Sequence, residues 1–285
     1  HNLAVPGYRV ADLLSRPQVG PGDARALQEL ILPPGVSAVE AMAALAPTFV
    51  TLWIGANDVL GAALAGQPAL ATPVDAFARD FRAVLNAVDA AGVRGAAVAN
   101  LPDLTRIPAL LPAPRLAGLA DTLRLLGLNV TVTGCDDKAG WLVSWPALAP
   151  ALAGDLVTLD CDRADPAAAD RILSGRGAPV DEVQALRDRI RAFNDTIAAA
   201  VAEHGFALVD VHGAFERLGA PDRLGPIELV ASLQPPALHF GPFFSLDGVH
   251  PSGFAQRTIA NLFTAAIART YAPVVSAATA PGSAP

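Results

Sequence analysis

The chain reads as an α/β protein, a parallel sheet with helices packed on both faces. Short apolar runs alternate with segments of helical period along most of its 285 residues. Several of these runs end in turns that carry Gly, Asn or Asp. Apolar residues make up 52% of the chain against 16% charged, which is enough for a substantial core.

Taken in order, Asn2 to Val5 reads as the end of a strand, entering a helix through Val10, Leu13 and Leu14. Pro33-Pro34-Gly35 breaks the chain. Ser37 then opens a helix, with Glu40 three residues on completing a capping box. Phe49 to Ile54 is a near-continuous apolar run with β-branched residues, the pattern of a strand buried on both faces. Thr72-Pro73 opens the next helix and Gly92 closes it, and Ala96 to Leu101 is another strand. Val180 to His204 is the longest helical segment, with Val183, Leu186, Ile190, Phe193 and Ile197 spaced three or four apart. Gly205 ends it, Phe206 to Val211 follows as a strand, and the last helix runs from about Gly253 to Thr270. Two regions interrupt the alternation, near 106–176 and 213–244. Both are rich in Pro and Gly and read as long irregular insertions of functional or lid-like character. Residues 1–272 read as one domain and 273–285 as a fraying tail.

Basic residues number 20 and acidic residues 27, a net charge of −7. No basic run is interleaved with aromatics, so nucleic acid is not an expected partner. The mean hydropathy of +0.40 raises the question of a membrane span. The most apolar region, Ala41 to Ala65, is broken by Pro47, Gly55, Asn57 and Asp58, so no transmembrane segment is expected. His1 is not a translation start, and further residues are expected upstream of it. Cys135 and Cys161 lie in Asp-rich, loop-like contexts, which favours a disulfide in an oxidising compartment over two free thiols. A metal site is disfavoured, because the pair lacks a neighbouring His or second Cys pair. An exported protein (secreted, periplasmic or lipid-anchored) is the expectation.

In open α/β sheets, ligands bind beyond the carboxyl ends of the strands. Three signals fall at such positions. At Val5-Pro6-Gly7 the glycine N–H can face an oxyanion. At Gly55-Ala56-Asn57-Asp58 an amide donor follows a buried strand, with Asp58 able to brace the turn. At Asp247-Gly248-Val249-His250 a carboxylate three residues before an imidazole can fix its tautomer, leaving the other ring nitrogen to take a proton. Each alone also fits a plain turn or helix cap; their combination carries the chemistry.

The three blocks together resemble the SGNH (GDSL-type) hydrolase family. The matching stretches are Asn2-Leu3-Ala4-Val5-Pro6-Gly7, Gly55-Ala56-Asn57-Asp58 and Asp247-Gly248-Val249-His250-Pro251. The resemblance implies a three-layer α/β/α, flavodoxin-like fold and ester hydrolysis through a serine acyl-enzyme, with no metal or organic cofactor. It implies His250 as general base, Asp247 as its orienting partner, and Gly7 with Asn57 as oxyanion donors. Gly55 and Asp58 would support them. The family's nucleophile sits in a Gly-Asp-Ser or Gly-Asn-Ser turn after the first strand, and neither tripeptide occurs in this chain. The first strand and nucleophile turn are therefore expected upstream of His1, and the 285-residue chain alone is expected to be inactive. Ser15, Ser37, Ser174, Ser245 and Ser252 read as cap, surface or loop residues.

Among the other histidines, His204 reads as structural at a helix C-terminus. His212 could face the site's edge, and His239 lies in an apolar loop with Phe240, Phe243 and Phe244. That loop reads either as an acyl or alcohol pocket for a small-molecule ester or lipid, or as plain core. The rival functions are a non-catalytic lipid- or glycan-binding protein on the same scaffold and a carbohydrate O-deacetylase.

Overall fold

The computed structural model describes residues 1–15, 28–217, 228–230 and 237–271. The tail expected at 273–285 lies outside the described residues, as does the side chain of His239. The elements are α1 (Ala38–Ala44), β1 (Phe49–Leu52), α2 (Asn57–Ala65), α3 (Val74–Ala90), β2 (Gly95–Ala99) and β3 (Leu110–Pro112). Next come α4 (Ala113–Leu125), β4 (Val130–Thr133), β5 (Leu142–Ser144), α5 (Ala149–Leu152), β6 (Val157–Asp160) and β7 (Ile172–Leu173). The chain continues through α6 (Glu182–Glu203), β8 (Ala207–Val209), α7 (Val211–Arg217), β9 (Glu228–Val230), β10 (Ala237–His239) and α8 (Gly253–Tyr271).

The α/β architecture follows from how β2 is shared between two helical layers. A parallel sheet of order β1-β2-β8 forms the centre, with Phe49 opposite Gly95 and Ala97 opposite Ala207. Successive strand residues point to opposite faces. Val98 accordingly packs with Phe77, Phe81, Val84 and Phe193 of α3 and α6, while Ala97 and Ala99 face Ala266 and its neighbours in α8. The small residues of β2 let both layers approach closely. On the α3/α6 side, Phe77 stacks on Phe193 at 3.8 Å between ring centroids and on Phe81 at 5.5 Å. On the other side Tyr271 closes α8 onto the sheet. Its hydroxyl accepts from the Ala96 N–H (3.0 Å) and donates to the Ala96 carbonyl (2.9 Å), pairing a strand position that precedes the register with β8.

The capping box at Ser37 and Glu40 forms as its sequence predicts, and Asp181 caps the 22-residue α6. Other expectations are corrected. Residues 1–5 form no strand, and the helix expected after them is one short 3₁₀ turn, Val10–Leu13. Local periodicity over so few residues could not distinguish that turn from a helix. β1 is not buried on both faces: Thr51 is exposed, and among the described residues β1 pairs only with β2. The apolar run there reflects one packed face and an open edge. The region near 106–176 is not irregular. It carries the antiparallel order β3-β5-β7, the parallel pair β4-β6 and α4, around a second core that includes Leu116, Val143, Leu148 and Leu159. Within 213–244, α7 extends to Arg217 and β9 pairs antiparallel with β10.

Cys135 and Cys161 form a disulfide across 26 residues, tying the end of β4 to the end of β6. Both residues are buried in the second core rather than lying in surface loops. Asp136, Asp137 and Asp162 are exposed around a bond that faces inward, and Asp160 folds back to accept from the Asp162 N–H at 3.1 Å. Lys138, the one lysine of the chain, pairs with Asp162 at 2.8 Å over this junction.

Candidate active site

His250 and Asp247 sit on a short loop that is closed on itself before α8 begins. The Ser245 N–H donates to the His250 carbonyl (2.8 Å), the Gly248 N–H to the Ser245 carbonyl (3.0 Å), and the Ser252 N–H to the Phe243 carbonyl (2.8 Å). The Gly248 carbonyl accepts from the Ala109 N–H at 3.0 Å, which docks the loop on the segment leading into β3. Gly248 has φ +68°, and a Cβ there would stand 2.9 Å from the Ala109 nitrogen and 3.0 Å from the Phe240 ring. Only glycine meets both conditions.

Within this loop Asp247 is the hub. One of its oxygens accepts from the backbone N–H groups of Val249 and His250, each at 2.9 Å, and from the Ser245 hydroxyl at 2.5 Å. The other lies 2.5 Å from Nδ1 of His250. Partial burial alone would raise its pKa. The hydrogen bonds from Ser245, from the His250 ring and from the two amides outweigh that effect and hold the carboxyl well below the usual range. An ionised partner at Nδ1 keeps the proton on that nitrogen and leaves Nε2 as the basic atom.

Asn57 begins α2 immediately beyond β1. Gly55, with φ +112°, makes the sharp turn, and a Cβ there would lie 3.0 Å from the Phe77 ring. One amide hydrogen of Asn57 goes to the Tyr8 carbonyl (2.9 Å), which orients the side chain and leaves its second hydrogen. Gly7 adjoins that carbonyl and is exposed. Asp58 is buried beneath, accepting from the Val10 N–H at 3.0 Å. Burial raises its pKa against the hydrogen bonds from Val10 and Thr72. Its place is thus under the N-terminal segment, holding Tyr8 and Gly7 against α2.

Asn57 and His250 line one cleft of about 300 Å³. Its apolar lining includes Leu60, Leu104, Ile107, Phe215 and Phe244, with Asp103, Arg106, Glu216 and Gln256 as further polar members. Gly7 is not in the lining. Of the aromatic trio, Phe244 lines the cleft, Phe240 is buried behind Gly248, and Phe243 packs edge-on against Phe254 at 5.2 Å. Leu60, Leu104 and Ile107 were not singled out by sequence. The signal available for Leu60 was its position three residues after Asn57, on the same helical face.

Residues 1–263 match the model of the GDSL-like Lipase/Acylhydrolase family. The chain belongs to that family. No curated protein sequence matches it. A crystal structure of an α/β hydrolase enzyme from the metagenome of Lake Arreo, Spain, is similar at 18% identity and a TM-score of 0.37; the match covers 80% of this chain and 66% of that one.

All the described serines but Ser144 have partners for their hydroxyls; the Ser144 hydroxyl is buried without one. The Ser245 hydroxyl donates to Asp247, the Ser252 hydroxyl to the Pro242 carbonyl, and the Ser15 hydroxyl to the Asp12 carbonyl. Ser37 is a cap, Ser144 is buried in β5, and Ser174 lies 2.8 Å from buried Glu182. Among the described residues no serine is hydrogen-bonded to the His250 ring. His212 lies outside the cleft lining, with its ring at the Leu101 carbonyl (3.0 Å), and His204 stacks on Phe206 at the end of α6. No helix among the described residues is long and apolar enough to cross a membrane.

Proposed function

We propose that this GDSL-like acylhydrolase cleaves carboxylic esters through a serine acyl-enzyme, with His250 as general base, Asp247 as its orienting partner and Asn57 with Gly7 as oxyanion donors. The observation that carries the proposal is that Asn57 and His250, the latter held at Nδ1 by Asp247, line one apolar cleft. The serine hydroxyl attacks the acyl carbonyl while His250 Nε2 takes its proton. The imidazolium is held by ionised Asp247 at Nδ1. The negative oxygen of the tetrahedral intermediate receives the second amide hydrogen of Asn57 and the Gly7 N–H. His250 then gives its proton to the leaving alcohol, and water attacks the acyl-serine by the same base in the second half.

The nucleophile is proposed to lie on a segment outside residues 1–285, and residues 1–272 are proposed to form the domain that receives it. The disulfide is compatible with an exported protein, and export is part of the proposal. The cleft's hydrocarbon lining favours an acyl chain over a glycan.

Two measurements test this. The 285-residue chain alone should give negligible turnover of p-nitrophenyl butyrate; serine-type turnover by it would place the nucleophile inside the chain. In the natural full-length polypeptide, Asn57→Ala should lower kcat by roughly 10²–10³ with a smaller change in KM. An unchanged kcat would remove Asn57 from the oxyanion site.

A further inference from the structure

We infer that Leu60 sets the length of the straight acyl chain the cleft accepts, with the chain running from Asn57 along one face of α2. This rests on the ester-hydrolase proposal above and deepens it. Asn57 and Leu60 are three residues apart on a helix, so they share a face and stand about 4.5 Å apart along its axis. Both line the cleft. A carbonyl whose oxygen meets the Asn57 amide therefore places the first methylenes of its acyl chain against Leu60.

The opposite wall is fixed. Leu104 and Ile107 are 5% and 4% exposed and belong to the main core. The turn that carries Leu104 is braced from α6: Arg187 pairs with Asp103 at 3.3 Å and its Nε–H donates to the Thr105 hydroxyl at 3.0 Å. Phe215 meets Phe244 edge-on at 6.5 Å, which stiffens the third side. Leu60, like Phe215, is only partly buried, whereas Leu104 and Ile107 are core residues. It is the cleft residue one turn on from Asn57 on the same helix, so the space beside the reacting carbonyl is set there. At about 300 Å³ the cleft is at the small end of ligand sites, which suits short to medium chains.

The test is binding, read by isothermal titration calorimetry on the full chain with a series of 2-alkanones from 2-pentanone to 2-dodecanone. These ketones carry the carbonyl and the chain but no leaving group. Affinity should rise about fourfold per added methylene, equivalent to about 0.8 kcal/mol, and then level off at a limiting length. Leu60→Trp should move that limit to shorter chains and Leu60→Ala to longer ones. Affinity independent of chain length, or a limit that stays in place in Leu60→Ala while that variant melts as a folded protein, would overturn the inference. The outcomes separate from those of the proposed reaction. Ketone selectivity without esterase activity in the full-length polypeptide would refute the reaction and leave Leu60's role standing. Esterase activity with flat ketone binding would refute only the role of Leu60.

Discussion

At the scale of single residues, the site turns on which atoms are committed and which are left over. Asp247 spends its oxygens on Ser245, two backbone amides and His250 Nδ1, so the loop is pre-organised around an ionised carboxylate. Its pKa is lower in the fold than in the unfolded chain, so its contribution to stability is present above the ordinary carboxylate pKa of about 4 and is lost as pH falls below it. Asp247→Asn should therefore flatten the acid limb of a melting-temperature profile measured from about pH 6 down to about pH 3. A variant profile parallel to that of the parent would show that Asp247 is not held low. Asp58 has the opposite sign: burial raises its pKa, so ionisation at neutral pH costs stability that protonation returns. Its worth lies in the Val10 N–H it satisfies. Asp58→Ala should cost about 1–3 kcal/mol in urea unfolding, through that orphaned donor.

At the scale of elements, two ties deserve weight because they join pieces distant in sequence. The disulfide closes a 26-residue segment between β4 and β6, for which the chain-entropy relation gives about 3.5 kcal/mol. Reduction, or the Cys135→Ala/Cys161→Ala pair, should lower the urea midpoint accordingly; an unchanged midpoint would mean the second core holds without it. Tyr271 is the other tie, bonding both backbone groups of Ala96 from the last turn of α8. Tyr271→Phe keeps the ring against Phe49 but leaves those groups unpaired, an expected loss of about 1–3 kcal/mol by denaturant titration. Among the described residues β1 pairs only with β2, so its other edge has no described strand beside it.

At the scale of the whole molecule, what could be read from sequence tracks how local the governing physics is. The alternation of strands and helices, the cap at Ser37 and the span of α6 are set by periodicity and nearby side chains, and they appear within a few residues of their expected places. The pairing of Asp247 with His250 was legible for the same reason, since both lie on one four-residue turn. The cleft was not, because Leu60, Ile107 and Phe215 come together only when α2, the segment before β3 and α7 converge. The region near 106–176 misled because its Pro and Gly punctuate many short strands instead of one long loop. The buried disulfide misled because acidic neighbours say nothing of where a sulfur points. The central claim is that His250 is the base of a serine ester hydrolase. It is tested most directly by fluorophosphonate labelling of the natural full-length polypeptide and of its His250→Ala variant. The expected result is one labelled serine, outside residues 1–285, whose labelling disappears in the variant. Labelling that persists unchanged in His250→Ala would contradict it.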